Sequence, residues 1–443
     1  MNNKLNIVTE SNFNRIFPYS IIENFMHKSM KGSWGRTGDK EDQGIVQDLS
    51  RMSYVSYVSH VRRVNTPIDR SIKLVEPHRL DTPQWGMMCP IESPDGGNIG
   101  LLKHMSTMCE ITLESDHEAI KQVLIDLNVI LLETLDPKSI GKLSKVFINN
   151  TWIGIHKDPK TFVDTLKKYR RTDVINAFIS ISWKILENEI HVFSDSGRCC
   201  RPVFIVEEMH NLDYSVKEWD KLVAGYTYKM TYSKAKIEKT LKPRSIEYVD
   251  CFESNTLFLS MLLKDVIKNR HTHCEIHPSL HMSLYTNTIP LANHNQAPRN
   301  VFSGQQGKQA VGIYATNFND RIDTASYILH YPQRAILSTK IAKYVHKNKM
   351  PTGENLIVAI ATYSGYNQED SIILNGSSVA RGMFNVSGFK SIVETEDVNV
   401  NSGLEIRVDN PKRLKKEGEN IDYRYANWDT VDDSGLPIKD TYI

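Results

Sequence analysis

The sequence predicts an α/β protein of several domains, rich in antiparallel strands, on three observations. Its 443 residues suffice for two to four domains with proper cores, and 40% hydrophobic with 24% charged residues is a globular composition without a low-complexity tract. Short apolar runs are joined by turn residues: Lys145–Ile148 to Trp152–Ile155 across Asn149-Asn150, and Ile190–Phe193 to Pro202–Val206 across Asp195-Ser196-Gly197. Amphipathic stretches of helical period alternate with them.

Near the amino terminus, Ile21, Ile22, Phe25 and Met26 stand at helical spacing before a glycine-rich break at Gly32, Gly35 and Gly38. Met52, Val55, Val58 and Val61 step by three, one face of a helix ending near Asn65-Thr66-Pro67, which aims Arg62 and Arg63 out of its last turn. Trp85 to Gly97 is dense in Pro and Gly, a shaped loop carrying Asp95. Residues 110–140 read as a helix and a strand. Asp158 is an N-cap and Pro159 a first helical residue, opening a helix with Phe162, Val163, Leu166 and Tyr169 on one side and Lys167, Lys168, Arg170 and Arg171 on the other. Residues 210–270 are charged and helical in character, with a short strand at Ile246 to Asp250. Leu356 to Ile360 is a continuous apolar run of strand length, the pattern of a strand buried on both faces.

A net charge of +2 leaves any nucleic-acid contact to local patches: Arg62, Arg63, Arg70, Lys73 and Arg79, then Lys234 to Arg244, then Arg299 with Lys308. The six cysteines show no C-x-x-C pair and no disulfide framework, which suits a reducing intracellular compartment; adjacent Cys199 and Cys200 bridge only with strain and read as structural. No apolar run reaches membrane length, so neither secretion nor a membrane partner is expected.

Three stretches offer chemistry. His271 to His277 supplies three histidines, Cys274 and Glu275, and a helix there would let His273 and His277 clamp a metal; Pro278 ends such a helix early, and no second ligand pair follows at zinc-finger distance. Gly304 to Lys308 hints at a phosphate loop but has two residues between its glycines where a P-loop needs four. What is left there is a glycine-loosened backbone between Arg299, a planar fork, and Lys308, a point charge. Between Leu356–Ile360 and a second apolar run, Ile372 to Leu374, a polar turn delivers the adjacent acids Glu369 and Asp370. Two acids so placed need a cation, a donor or water, and hard oxygen ligands suit Mg²⁺.

The run Gly365-Tyr366-Asn367-Gln368-Glu369-Asp370-Ser371-Ile372-Ile373-Leu374-Asn375 resembles the acidic-pair motif of the second-largest subunit of multisubunit DNA-dependent RNA polymerases of the eukaryotic, archaeal and large-DNA-virus type. The stretch from His60 to Arg70, the loop from Trp85 to Gly97 and Gly100 to Lys103 resemble that family's fork. His271 to Pro278 resembles the opening of its hybrid-binding domain, and His294 to Asn300 with Gly304 to Gly312 its most characteristic run. The family has Thr, Glu and Gln where Ser93, Asp95 and Gly97 stand, and Tyr, Gln and Met at Phe302, Ser303 and Gln306.

The resemblance covers residues 46–443. It implies an end of the protrusion region over 1–45, a fork over 46–115, external domains over 116–208 and 209–268, the first part of a double-psi β-barrel hybrid-binding domain over 269–389, and the start of a wall or flap over 390–443. It implies templated RNA synthesis, with Arg299 at the nucleotide triphosphate, Lys308 and Gln309 by the transcript 3′ end, Arg62, Arg63 and Asp95 near nucleic acid, and Glu369 and Asp370 beside a second Mg²⁺ shared with the largest subunit. No zinc is implied in this piece. Implied partners are the largest subunit, other polymerase subunits, the remaining segments of this subunit, template DNA, transcript and nucleoside triphosphates. The implied place is the nucleus or, for a viral gene, toward which the motif drift leans, the host cytoplasm or virion. An incomplete barrel is expected to leave apolar surface and strand edges unpaired. Readings from other classes are a non-catalytic nucleic-acid-binding or assembly fragment, and a metal nuclease using His273, His277, Glu369 and Asp370.

Overall fold

The computed structural model describes residues 13, 20–30, 46–66, 68, 74–135, 143–206, 246–267, 269–399, 404–406, 408–418 and 428–441. The expectations for Arg70, Lys73, the basic run 234–244 and the helical character of 210–245 lie outside them. The chain forms two units, Met1–Asn319 with Tyr327–Ser387, and Asp320–Ser326 with Gly388–Ile443.

In the larger unit, Ser20–Met30 is the expected helix, with Ile22, Phe25 and Met26 exposed. The next helix, Tyr54–Val61, starts at Ser53, whose Oγ accepts from Ser56 N at 3.1 Å. It stops four residues before the predicted end because Arg63 enters β1 (Arg63–Asn65), antiparallel to β2 (Leu102–His104) with Arg63 opposite His104. Its buried face also differs from the valine stripe: Met52 and Val61 are exposed, whereas Ser53, Val55, Ser56 and Ser59 are buried. Small hydroxyl side chains let another backbone approach there, and Ser53 Oγ donates to the carbonyl of Lys308 at 2.8 Å.

After β3 (Glu110–Ile111) come the predicted helix, His117–Asp126, and strand, β4 (Ile130–Leu131). β5 (Ser144–Ile148) and β6 (Thr151–His156) form the predicted hairpin, with Asn149 and Asn150 at φ of 44° and 68°, the left-handed region that Asn tolerates in such turns. The helix Pro159–Arg171 is capped by Asp158, whose Oδ1 accepts from Thr161 N at 3.3 Å. β7 (Ser180–Lys184) and β8 (Glu189–Phe193) complete a five-stranded sheet of order β4-β6-β5-β8-β7. Phe162, Val163 and Leu166 pack on it with Ile120, Leu124, Val146, Ile181 and Ile190, a core of its own.

The predicted second hairpin does not form. β9 (Cys199–Ile205) leaves the first sheet and becomes the centre of another, flanked by β10 (Ile246–Asp250) on one side and on the other by β12 (His273–Cys274), with β11 (Leu259–Ser260) beyond it and β3 also on β9. Six of its seven residues are buried, so both faces are covered as in an interior strand. The turn at Asp195 to Gly197 switches sheets, held by Arg198, whose Nε meets Asp195 Oδ1 at 2.8 Å and whose Nη1 meets Asp250 Oδ2 at 2.9 Å.

Arg170, expected on the solvent face, is buried. Its guanidinium donates to Glu247 Oε1, to Glu253 Oε1 and Oε2 at 2.7 Å each, and to the Ile179 carbonyl at 2.6 Å. Glu247 also receives Arg171 Nη2 at 3.1 Å and pairs with His273 Nε2 at 2.8 Å. Burial opposes ionisation of Glu247, but Arg170, His273 and Arg171 outweigh it and hold the carboxyl well below the usual range. His273 is therefore a strand residue engaged by a carboxylate, and His277 accepts from Ser279 N at 3.1 Å, so the helical two-histidine clamp does not form.

Leu356 to Ile360 is not a buried strand. It runs without a ladder partner, with Ile357 and Ile360 fully exposed, and Ile372 is 81% exposed. Among the described residues no sheet closes into a barrel. Apolar runs of this length left open to water favour self-association. The isolated chain is expected to elute from size exclusion as aggregate; a monodisperse monomer with one cooperative calorimetric transition contradicts this.

In the smaller unit, Asp397–Asn399 pairs antiparallel with Leu404–Ile406, and Asn410 caps the helix Pro411–Lys416 while its amide donates to the carbonyls of Val431 and Asp432 at 3.2 and 2.9 Å.

Candidate functional site

The segment from Ala297 to Gln309 is a helix, where the sequence suggested a loosened loop. Pro298 fixes its first turn, and buried Asn300 braces its start, donating to the Ala292 carbonyl at 2.8 Å while its Oδ1 accepts from Asn295 Nδ2 at 3.1 Å. Of the two glycines, Gly307 serves packing. A Cβ on Gly307 would sit 1.8 Å from the hydroxyl of Tyr285, which donates to the Ser303 carbonyl at 3.0 Å. Gly307→Ala is therefore expected to cost about 1–3 kcal/mol by overpacking, read as a lowered melting temperature.

The helix shows two faces. Arg299, Gln306 and Gln309 are exposed, and the Arg299 guanidinium lies over the Phe302 ring at 5.5 Å. Lys308 points the other way and is buried: its Nζ meets Glu92 Oε1 at 2.8 Å, on which Ser59 Oγ also donates at 2.6 Å. His104 completes the cluster, with Nδ1 at 3.1 Å from the Glu92 carbonyl and Nε2 at 3.5 Å from Lys308 Nζ. A carbonyl only accepts, so Nδ1 carries the proton and Nε2 offers its lone pair to the ammonium. The cluster joins four segments, Tyr54–Val61, the loop at Glu92, β2 and Ala297–Gln309. Sequence reading missed Glu92 and His104; a Glu within an otherwise apolar and glycine-rich loop was the available signal.

Burial lowers the His104 imidazole to about 4, against the pull of Glu92. Burial opposes ionisation of Glu92 too, but His104 and Lys308 hold it below the usual carboxylate range. Both folded-state values lie below the unfolded ones, so the stability these groups support is present above the unfolded values and lost as pH falls. For His104 the window runs from its ordinary value near 6.5 down to about 4, for a loss of roughly 3 kcal/mol at most. Acid titration of the melting temperature should show this fall, and His104→Gln should flatten it.

Arg62 caps the helix Tyr54–Val61, and its Nη2 donates to the carbonyls of Ser106 and Cys109 at 2.7 and 3.0 Å; it thus stitches β2 to the residues before β3 instead of projecting outward. Arg63 is half-buried in β1. Asp95 is exposed at the tip of a loop whose base Ser93 closes, accepting from Gly100 N at 2.8 Å and donating to the Leu102 carbonyl at 3.2 Å.

Glu369 and Asp370 sit in an exposed turn at φ of 50° and 67°. Left-handed backbone costs an L-residue roughly 1–2 kcal/mol, and two in succession need a brace. Ser371 N closes the turn by donating to the Gln368 carbonyl at 3.1 Å, while Asn367 ties the segment before it, its Oδ1 accepting from Tyr363 N at 3.1 Å and its Nδ2 donating to the Ala361 carbonyl at 2.6 Å. Among the described residues neither acid has a cation partner, and neither meets Arg299 or Lys308. No group of three or more His, Cys, Asp or Glu side chains among them is placed to hold a metal, and no helix is long and apolar enough to cross a membrane.

Comparison with known proteins covers most of this framework. The family RNA polymerase Rpb2, domain 3 matches residues 47–111, domain 4 matches 146–207 and domain 6 matches 285–443. The chain is similar to DNA-directed RNA polymerase II subunit 2 of Arabidopsis thaliana, 36% identical over 430 residues, covering 94% of this chain and 35% of that protein. It is 37% identical over 427 residues to subunit RPB2 of Encephalitozoon cuniculi, covering 94% and 36%, and 31% identical over 416 residues to subunit Rpo2 of Sulfolobus acidocaldarius, covering 91% and 35%. The chain thus spans about a third of the length of the curated relatives it matches. With three domain families matched in their order along the chain, and eukaryotic and archaeal relatives alike aligned over more than nine-tenths of it, the chain belongs to the Rpb2 family, the second-largest subunits of DNA-directed RNA polymerases.

Proposed function

We propose that this chain forms part of the active centre of a DNA-directed RNA polymerase, working with the largest subunit, other polymerase subunits and the rest of its own subunit on template DNA, transcript and nucleoside triphosphates. The observation that carries the reading is the Glu369–Asp370 turn. Two acids displayed to solvent on a left-handed backbone, with no cation among the described residues to meet them, are set for an ion or donor brought from elsewhere.

Adjacent carboxylate oxygens are the donor type that Mg²⁺ takes, so Glu369 and Asp370 would hold a second Mg²⁺ shared with the largest subunit, directly or through water, and that ion would neutralise triphosphate charge. Arg299, exposed at the start of its helix, presents its fork to the triphosphate. Gln309 faces the transcript 3′ end, and buried Lys308 fixes the helix that carries both. Asp95 at its loop tip, with Arg62 and Arg63 where the helix Tyr54–Val61 passes into β1, shapes the fork beside the nucleic acid. These residues hold and orient reactants; positioning and fixed charge are what phosphoryl transfer asks of a protein.

The domain limits implied by the resemblance go with this reading, with the run at 356–374 as the leading part of a double-psi β-barrel whose ladder partners come from the rest of the subunit. So does a nuclear location, or host cytoplasm or virion for a viral gene.

The test is a reconstituted polymerase carrying Arg299→Ala, or Glu369→Ala with Asp370→Ala. Elongation at limiting nucleotide should fall by a factor of ten or more, with the loss concentrated in the apparent KM for nucleotide for Arg299→Ala. Unchanged elongation overturns the reading and leaves the non-catalytic assembly role. Stoichiometric zinc in the purified protein would favour the nuclease reading.

A further inference from the structure

We propose that the cleft between the helix Tyr54–Val61 and residues 345–347 docks an acidic segment of a partner protein, which seats an apolar side chain in the cleft and sets its carboxylates on the surrounding lysines. Tyr54 and Val58 line the cleft together with Leu284, Tyr285 and Val345. Its volume, about 260 Å³, suits a side chain and falls short of a drug-sized ligand.

The chain builds this site from neighbouring turns. Thr339 caps the helix Lys340–Tyr344, its Oγ1 accepting from Ala342 N at 3.3 Å and donating to the Asn287 carbonyl at 2.7 Å, which fastens that helix beside the turn Thr286–Thr288. His346, at φ of 56°, then turns the chain back, and Lys347 N donates to the Ala342 carbonyl at 3.1 Å. Lys347 Nζ thereby reaches Thr288 Oγ1 at 3.1 Å and stands 5.4 Å from the centre of the Tyr285 ring, both on the cleft.

Charge points to the occupant. Between Asp323 and Glu354 the sequence holds Arg334, Lys340, Lys343, Lys347 and Lys349 and no acid. Among the described residues none of these cations forms an ion pair, whereas the buried Arg170, Arg201 and Lys308 each meet a carboxylate. Lys347 is half-buried, burial pushes its amine down, and Thr288 takes one of its three N–H donors. A carboxylate arriving there compensates a charge that this chain leaves uncompensated.

The apolar surface narrows the choice. Ile336, Leu337 and Tyr344 stand exposed in the same segment as the lysines. A sugar-phosphate backbone would engage the cations and leave the aliphatic side chains and the cleft unused; a peptide with both acids and an apolar side chain engages all of them. The inference stands whether or not the chain serves catalysis.

The experiment is fluorescence anisotropy on the full chain copurified with the rest of its subunit. Three labelled probes are compared: a short peptide of Glu-Glu-Leu repeats, the same peptide with serine in place of leucine, and an oligothymidylate of equal charge. The leucine peptide should bind about ten times tighter than either of the others, and more weakly as salt is raised. Lys343→Glu with Lys349→Glu, both at exposed positions, should weaken it about tenfold, while Lys168→Glu, exposed on the helix Pro159–Arg171, should leave it unchanged. Val58→Phe, which fills the cleft, should bring the leucine peptide down to the level of the serine one. No binding of the leucine peptide, equal binding of the serine peptide or tighter binding of the oligothymidylate overturns the proposal. So does unchanged binding in the Lys343→Glu, Lys349→Glu variant, whose surface positions keep the test clear of any folding defect caused by Val58→Phe.

Discussion

Replacing Arg170 with alanine should cost the fold about 3–5 kcal/mol, because removing one member of a buried charge cluster leaves the others uncompensated. Two carboxylates are affected here: Glu247 loses its largest partner and keeps Arg171 and His273, and Glu253 loses its bidentate one, both with side chains at most 2% exposed. Glu253 is then left with Lys167 at 3.7 Å, beyond hydrogen-bond distance. The check is urea unfolding by circular dichroism, on the chain copurified with the rest of its subunit, where the midpoint should fall without a change in slope. A triple replacement of Arg170, Glu247 and Glu253 by apolar residues of matched volume should recover much of the loss, since no charge is then left buried. A midpoint unmoved by Arg170→Ala would show that water reaches the cluster.

Lys308→Met should have an effect of the same order, about 3–5 kcal/mol, by stripping Glu92 of its ammonium. The second variant decides the role of the side chain. If Lys308 acts by holding the helix Ala297–Gln309 against Tyr54–Val61, then Glu92→Gln in the Lys308→Met background restores both stability and elongation. If it served as a phosphate cation, the double variant would stay defective in elongation at limiting nucleotide. Lys308→Arg should be tolerated poorly in either background, since a larger fork does not fit the space that His104 and Ser59 leave around Glu92.

What sequence reasoning recovered were features written in neighbouring residues. Asn149-Asn150 between two apolar runs, and Asp158-Pro159 before an amphipathic run, each contain their cause within a few positions, and the hairpin and capped helix appear where they were read. What it missed depended on distant partners. Arg170 has the spacing of a solvent-face residue, and only Glu247 and Glu253, some eighty positions on, take it inside. The serines of Tyr54–Val61 look like the polar face until Lys308 and Glu92 arrive to bond them. The Leu356–Ile360 run failed in the other direction: its composition is that of a buried strand, yet burial belongs to a ladder that the described residues do not supply. The acid couplet was legible as chemistry, but its left-handed turn was not, because the backbone bond from Ser371 N to the Gln368 carbonyl that closes it is a matter of geometry and not of residue type.

The Arg170 cluster also sets a rule for exchanging parts between related chains. A chimera that imports residues 144–193 from a cousin would bring a guanidinium, or a replacement for it, into a socket whose acids and imidazole are encoded after position 245. Such grafts should succeed only when Glu247, Glu253 and His273 travel with the insert, so that the heritable unit in this protein is a set of side chains scattered across the gene and not the contiguous block between two linkers.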